Sequence, residues 1–354
     1  MGVLFAPPSL HDVLDCALRG PRPGTAFRDC ATTLGRYLEG PHTGGGLASY
    51  LLNCATQLCA SDVHLEPEPD GVSIRLRVDG ELRLLHTIPQ TSARSCVATL
   101  KARAHCLPYR SDIVQEGRIP RDGVAADVRA SFLPTAFGER AALRLFGKLL
   151  SLDQLGFHVD VLRSLEQALR SRRGLILVAG ASGAGKTTTL YALLAAVTAI
   201  RPGAHLSVED PVEQRLKRAG IPVDQVELDP LRGVTGETTL VAALRQDVDV
   251  LCVGEIRTGA EAALAVQAAH TGRLVLAGVH AGSAEEARQR MLDLGTERHL
   301  LSRTLTAVLH QALSTETCPC EAAPACARCQ GRGRLRRATG TLMSFNDGPS
   351  GVHA

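Results

Sequence analysis

Residues 174–190, GLILVAGASGAGKTTTL, run from an apolar stretch through a glycine-rich loop into the start of a helix. A loop of this kind works at the C-terminal end of a strand, so the fold is narrowed to an α/β architecture with a largely parallel sheet. Gly180, Gly183 and Gly185 leave room for backbone N–H groups to turn inward around a β-phosphate, with the positive end of the helix behind them. Lys186 is placed to reach the β- and γ-phosphates and Thr187 to bind Mg²⁺. The nucleotide-binding set is therefore Gly180, Ala181, Ser182, Gly183, Ala184, Gly185, Lys186, Thr187 and Thr188. Such a string arises by chance in roughly one of two hundred chains of this composition, and the apolar strand before it argues against a mere surface turn.

Helical patterns alternate with the apolar runs LILVAG, HLSVED, VDVLCVGE and RLVLAGVH, which predicts the nucleotide domain over residues 157–315. Upstream, LASYLLNCATQLCA has helical periodicity, and SDVHLEPEPDGVSIRLRVDGELRLLHTI reads as two strands turning at Pro69-Asp70-Gly71, with a further turn at Asp79-Gly80. A helix near Cys96 to Cys106 and strands around Ala125 to Ser131 and Ala141 to Phe146 complete a smaller α+β domain over 47–148. Residues 149–156, LLSLDQLG, predict a hinge, and the proline- and glycine-broken residues 1–46 an appendage or docking arm.

With 45% hydrophobic and 21% charged residues the chain is neither disordered nor fibrous. A net charge of +3 and 3% aromatic content argue against a nucleic-acid motor, which needs a basic surface and stacking platforms. Arg328, Arg332, Arg334, Arg336 and Arg337 cluster near the end, as a solvated terminus or a contact for acidic lipid or a partner. No apolar run approaches the ~18 residues that span a bilayer, and the first residues carry no basic leader, so a cytoplasmic location is expected. The 11 cysteines then read mostly as buried thiols.

Five further residues, at three strand ends, carry chemistry. Glu255 ends the run VDVLCVGE, where a carboxylate can hold Mg²⁺ through water or orient an attacking water. Glu209, Asp210 and Glu213 crowd one strand end, where they repel unless a cation sits among them. His280 ends RLVLAGVH and could donate to a γ-phosphate or serve the structure.

The order GASGAGKTTTLYALL, LSVEDPVE, LRQDVDVLCVGEIR, AAHTGRLVLAGVH resembles the type II/type IV secretion ATPase family. ASDVHLEP, IRLRVDG, QEGRI, FLPTAFGERAALRL and LSLDQLGF extend the likeness upstream, so that it covers about residues 47–330. The resemblance implies a RecA-like P-loop NTPase domain, a smaller PAS-like α+β domain before it and a short C-terminal cysteine module. It makes Lys186 and Thr187 the Walker A ligands, Glu209, Asp210 and Glu213 the aspartate box, Glu255 the Walker B acid and His280 the histidine-box residue. Arg118, Arg129 and Arg144 occupy the places of arginines that the smaller domain supplies to the nucleotide. Their permanent charge and forked donors suit phosphate, although salt-bridge roles fit equally well from the residues alone.

The resemblance further implies ATP and Mg²⁺ as ligands and a homo-hexameric motor peripherally bound to the inner membrane. Such a motor drives type II secretion pseudopilus or type IV pilus assembly through a polytopic platform protein, with a membrane-bound docking subunit as a further partner and no specific nucleic acid. Cys318, Cys320, Cys326 and Cys329 stand where assembly members carry a tetracysteine zinc module over 316–338, followed by a tail over 339–354. Four thiolates satisfy a closed Zn²⁺ site, but the one-residue gap in Cys318-Pro319-Cys320 leaves free thiols or a degenerate remnant open. Thr271-Gly272-Arg273 replaces the family's Thr-Gly-His, Gly278-Val279-His280 its Thr-Leu-His, Thr258 an expected acid and Val248 a usual proline. These departures keep two alternatives in view: a nucleotide-gated scaffold with weak hydrolysis, and a retraction or conjugative-transfer ATPase.

Overall fold

The computed structural model describes residues 27–39, 43–120, 127–147, 149–317, 334–345 and 351–353, in two compact units whose main division follows Gly147, with Thr317, Arg334 and Leu335 grouped with the first. The first contains α1 (Phe27–Glu39), α2 (Gly44–Gln57), β1 (Asp62–Glu68), β2 (Gly71–Val78), β3 (Glu81–Ile88), α3 (Gln90–Arg103), β4 (Gln115–Ile119), β5 (Val128–Thr135) and β6 (Gly138–Leu145). The six strands form one sheet in the order β3-β2-β1-β6-β5-β4, with every paired neighbour antiparallel. Alternation in β2 sends Val72, Ile74, Leu76 and Val78 into the core and leaves Arg75 and Arg77 on the opposite, partly open face. Thr43 caps α2 by accepting from Gly46 N at 3.1 Å.

Part of the expected appendage belongs to this unit. Cys30 and Leu34 of α1 are fully buried, Tyr37 stacks on Tyr50 with ring centroids 6.3 Å apart, and the Tyr50 hydroxyl donates to Cys30 O at 2.8 Å. Prolines and glycines on either side hid this amphipathic stretch from the sequence reading. Below the sheet, the buried Lys101 ammonium donates to Glu139 at 2.8 Å and to Arg110 O, tying the loop after α3 to the β5–β6 hairpin. Each charge is buried with a partner, the condition under which such burial is tolerated.

The second unit contains a 3₁₀ turn (Leu152–Gln154), α4 (Val159–Leu169), β7 (Gly174–Ala179), α5 (Lys186–Ile200), β8 (His205–Glu209), β9 (Asp224–Glu227) and α6 (Gly236–Ala243). There follow β10 (Val250–Val253), α7 (Gly259–His270), β11 (Leu274–Val279), α8 (Ala284–Asp293), α9 (Arg298–Thr304), β12 (Leu305–Thr317), β13 (Arg334–Ser344) and β14 (Gly351–His353). The sheet runs β14-β13-β12-β7-β11-β10-β8-β9, and from β12 to β9 every pairing is parallel. All six residues of β7 and of β11 are buried because helices cover both faces. Ile176 and Val178 pack with Leu165, Leu190 and Leu194 on one side, and Leu175, Leu177 and Ala179 with Ala265, Val266 and Met291 on the other.

Three expected boundaries fall inside elements or cores. Leu152, Leu155 and Phe157, at and beside the expected hinge, are buried in the second unit, and Ser151 and Gln154 close a capping box there. β12 runs past residue 315 and β13 across residue 338, so strands continue where the cysteine module and tail were expected to begin. Cys318, Cys320, Cys326 and Cys329 lie outside the described residues. No helix among those described is long and apolar enough to cross a membrane.

Candidate nucleotide-binding site

Parallel pairing brings the C-terminal ends of β7, β11, β10 and β8 to one edge of the sheet, and the glycine-rich loop leaves β7 at that edge. Gly183 and Gly185 hold φ of 76° and 90°, in the left-handed region that disfavours side chains. A Cβ on Gly180 would stand 2.6 Å from Gln311 O and 2.9 Å from Ala184 Cβ. β12 thus presses on the loop from below, and the Gln311 amide also donates to Ala184 O at 2.6 Å. Gly185 offers α5 no side-chain cap, so the first-turn N–H groups of that helix remain for an anion. Lys186 donates to Gly180 O at 2.8 Å and Ala181 O at 3.1 Å, and its ammonium lies 3.8 Å from Glu255. A glycine cradle, an ammonium at its lip and an open helix start fit a triphosphate carrying Mg²⁺.

The loop opens onto a cavity of about 240 Å³, where Ser182, Gly183, Lys186 and Thr187 meet Glu209, Asp210 and Glu213 from the end of β8 and Glu255 from beyond β10. Glu209 is 4% exposed. Its Oε2 accepts from the Tyr191 hydroxyl and its Oε1 from the Gln225 amide at 2.9 Å. Burial, followed by the adjacent Glu209 charge, pushes the Tyr191 hydroxyl well above the usual phenol range, so it keeps its proton. Burial likewise pushes the Cys252 thiol up, which leaves it inert within the sheet.

Arg257 links the two outer acids, bonding Asp210 at 2.5 Å and Glu255 at 3.0 Å, and those bonds raise its already high pKa. Neither Arg257, Tyr191, Gln225 nor Gln311 was singled out from the sequence. The available signals were a polar-tipped tyrosine inside the apolar helix LYALLAAV and a lone glutamine inside the strand segment AVLHQAL.

Thr258 caps α7, accepting from Glu261 N at 3.2 Å, while Glu261 accepts from Arg257 N at 2.8 Å and Thr258 N at 3.0 Å. Arg273 precedes β11 and donates to Leu244 O at 2.9 Å and to Thr271 at 2.8 Å, at the edge of the sheet opposite the loop. His280 follows β11, between the ends of β7 and β10 in strand order; it is exposed and lies outside the cavity lining.

In the first unit, Arg118, Arg129 and Arg144 sit directly opposite one another on β4, β5 and β6, and the same row continues through Asp62 on β1 to Arg77 on β2. Arg144 bonds Asp62 at 3.0 Å and Arg129 bonds Glu116 at 2.9 Å. Side chains in one row share a face, so the sheet presents a rung of three adjacent arginines.

A family profile described as type II/IV secretion system protein matches residues 47–351. Type II secretion system protein E of Klebsiella pneumoniae is 39% identical over 278 residues, covering 77% of this chain and 55% of that protein. Type IV pilus assembly ATPase PilB of Thermus thermophilus is 34% identical over 264 residues, covering 73% of this chain and 29% of that protein. The chain therefore spans about half the length of the first of these relatives and less of the second. The crystal structure of the Legionella pneumophila ATPase DotB has the same fold, with a TM-score of 0.67 at 20% identity over 87% of this chain and 83% of that one.

Proposed function

The chain belongs to the type II/IV secretion system protein family, and from that premise we propose that it is an ATP-hydrolysing motor at the cytoplasmic face of an inner membrane. Its work is assembly of a secretion pseudopilus or pilus through a polytopic platform protein, as a ring of identical subunits. One observation carries the reading: Lys186, Thr187, Glu209, Asp210, Glu213 and Glu255 converge on one cavity at the C-terminal edge of a parallel sheet. The relatives of known kind, a secretion protein E and a pilus assembly ATPase, support it.

In this reading residues 180–188 cradle the phosphates through backbone N–H groups, and Lys186 exchanges its bonds to Gly180 and Ala181 for phosphate oxygens. Mg²⁺, when bound, neutralises charge on the phosphates; Thr187 would hold it directly, and Asp210 and Glu213 would hold its waters. Glu255 orients the attacking water, because it lines the cavity beside Lys186 and is only partly buried. His280 donates to the γ-phosphate edge, and Arg118, Arg129 and Arg144 bring positive charge to a nucleotide. Cys318, Cys320, Cys326 and Cys329 would supply four thiolates to one zinc ion per chain, a content that elemental analysis of the purified protein reads directly. Arg273 and Thr258 have structural employment, which supports a motor over a nucleotide-gated scaffold.

Steady-state hydrolysis with Mg²⁺, measured beside nucleotide binding, tests the reading. Lys186→Ala should lose both, whereas Glu255→Gln should keep binding and lose turnover by about 10²–10³-fold. Firm ATP binding without turnover, in the assembled wild-type protein, would sink the motor and leave the scaffold.

A further inference from the structure

Resting on the reading just given, we propose that Tyr191 is a positioning residue for Glu209, fixing that side chain as an oriented carboxylate at the phosphate edge of the cavity and tying its orientation to the phosphate-loop helix.

Hydrogen-bond directions carry the argument. The Tyr191 oxygen accepts from two backbone groups, Glu213 N at 3.1 Å and Gln214 N at 3.3 Å. A backbone N–H can only donate, so the hydroxyl proton is left to point at Glu209 Oε2. The opposite oxygen is determined in the same way. Gln225 Oε1 accepts from Leu216 N at 2.8 Å, which sets the amide so that its nitrogen donates to Glu209 Oε1 at 2.9 Å and to Gln214 O at 2.9 Å. Both oxygens of Glu209 therefore accept a hydrogen bond, which holds the side chain in one orientation. So held, it is placed to accept from a water or from metal-bound water.

Its two partners are neutral, so the negative charge is held without being cancelled and stays available to the cavity. Tyr191 is 2% exposed and lies five residues after Lys186 on α5. Through one oxygen it clasps Glu209, Glu213 and Gln214, so a shift of the loop and its helix on binding phosphate moves the acids with it.

The test compares Tyr191→Phe, Glu209→Gln and the double variant, with kcat and KM for ATP measured on the full chain and melting temperatures recorded. Tyr191→Phe should lower kcat about ten- to a hundredfold, as loss of a hydrogen bond to a charged group does, with KM changed less than about threefold. In the Glu209→Gln background the same change should have no further effect on kcat, because Tyr191 acts through that carboxylate. Gln225→Met, which removes the other donor, should repeat the pattern. An unchanged kcat in Tyr191→Phe, or an equal fall in both backgrounds, overturns the inference while leaving the motor intact. No turnover by the wild-type chain overturns the motor reading and this inference with it.

Discussion

Thr258 stands where the family resemblance leads one to expect an acid, and its surroundings explain why either residue serves. The position is the N-cap of α7, and Ser, Thr, Asp and Asn all accept a first-turn N–H there. Thr258→Ala should therefore lower the urea midpoint by the equivalent of about 1 kcal/mol, and Thr258→Asp should restore it. Arg273 calls for a different argument. It precedes β11, whose six residues at about 3.3 Å each put it some 20 Å from the phosphate edge, and its guanidinium is occupied by Leu244 O and Thr271. Arg273→Ala should leave turnover within about threefold of wild type while lowering the melting temperature. A large loss of turnover without a change in melting would show that the departure at this position bears on chemistry after all.

The glycine-rich loop depends on an element that the sequence did not offer as a strand. β12 places Gln311 O where a Cβ on Gly180 would come within 2.6 Å, and a backbone oxygen cannot swing aside as a side-chain tip can. Gly180→Ala should push the loop off β12 and weaken nucleotide binding at least about tenfold, as a titration with a fluorescent ATP analogue would read. In the second unit β7, β10 and β11 were legible because strands buried in a parallel sheet with helices on both sides are near-continuous apolar runs. β9 is a four-residue edge strand, DQVE, whose pairing with β8 rather than its composition makes it a strand. β12 follows α9 with no intervening turn residue, and β4, QEGRI, is a short edge strand with Ile119 its one buried residue. The site follows the same division. Residues fixed by a local motif, such as Lys186 and Thr187, are visible in one dimension. Tyr191, Gln225, Arg257 and Gln311 acquire their partners only when distant segments meet.

At the scale of the whole molecule, the rung of Arg118, Arg129 and Arg144 gathers three positive charges in one row of the first unit's sheet. Like charges directly opposite in adjacent strands repel, and Glu116 and Asp62 bond Arg129 and Arg144 in this rung. A row of forked, permanently charged donors suits a surface that meets an anion, and in the proposed ring the nucleotide of a neighbouring subunit would supply one. The idea separates from a rung acting within its own chain by mixing two inactive variants. Arg129→Ala keeps its phosphate loop and loses an arginine, whereas Lys186→Ala keeps the arginines and loses the loop. Assembled alone, each should hydrolyse ATP poorly. Assembled together in equal amounts, about a quarter of the sites should pair an intact loop with an intact neighbouring rung by random placement around a head-to-tail ring, and activity should return in proportion. If the arginines serve their own chain, no mixture contains an intact site and activity stays at the level of the separate variants. Restored turnover that also rises with total protein concentration would assign hydrolysis to the interface between subunits.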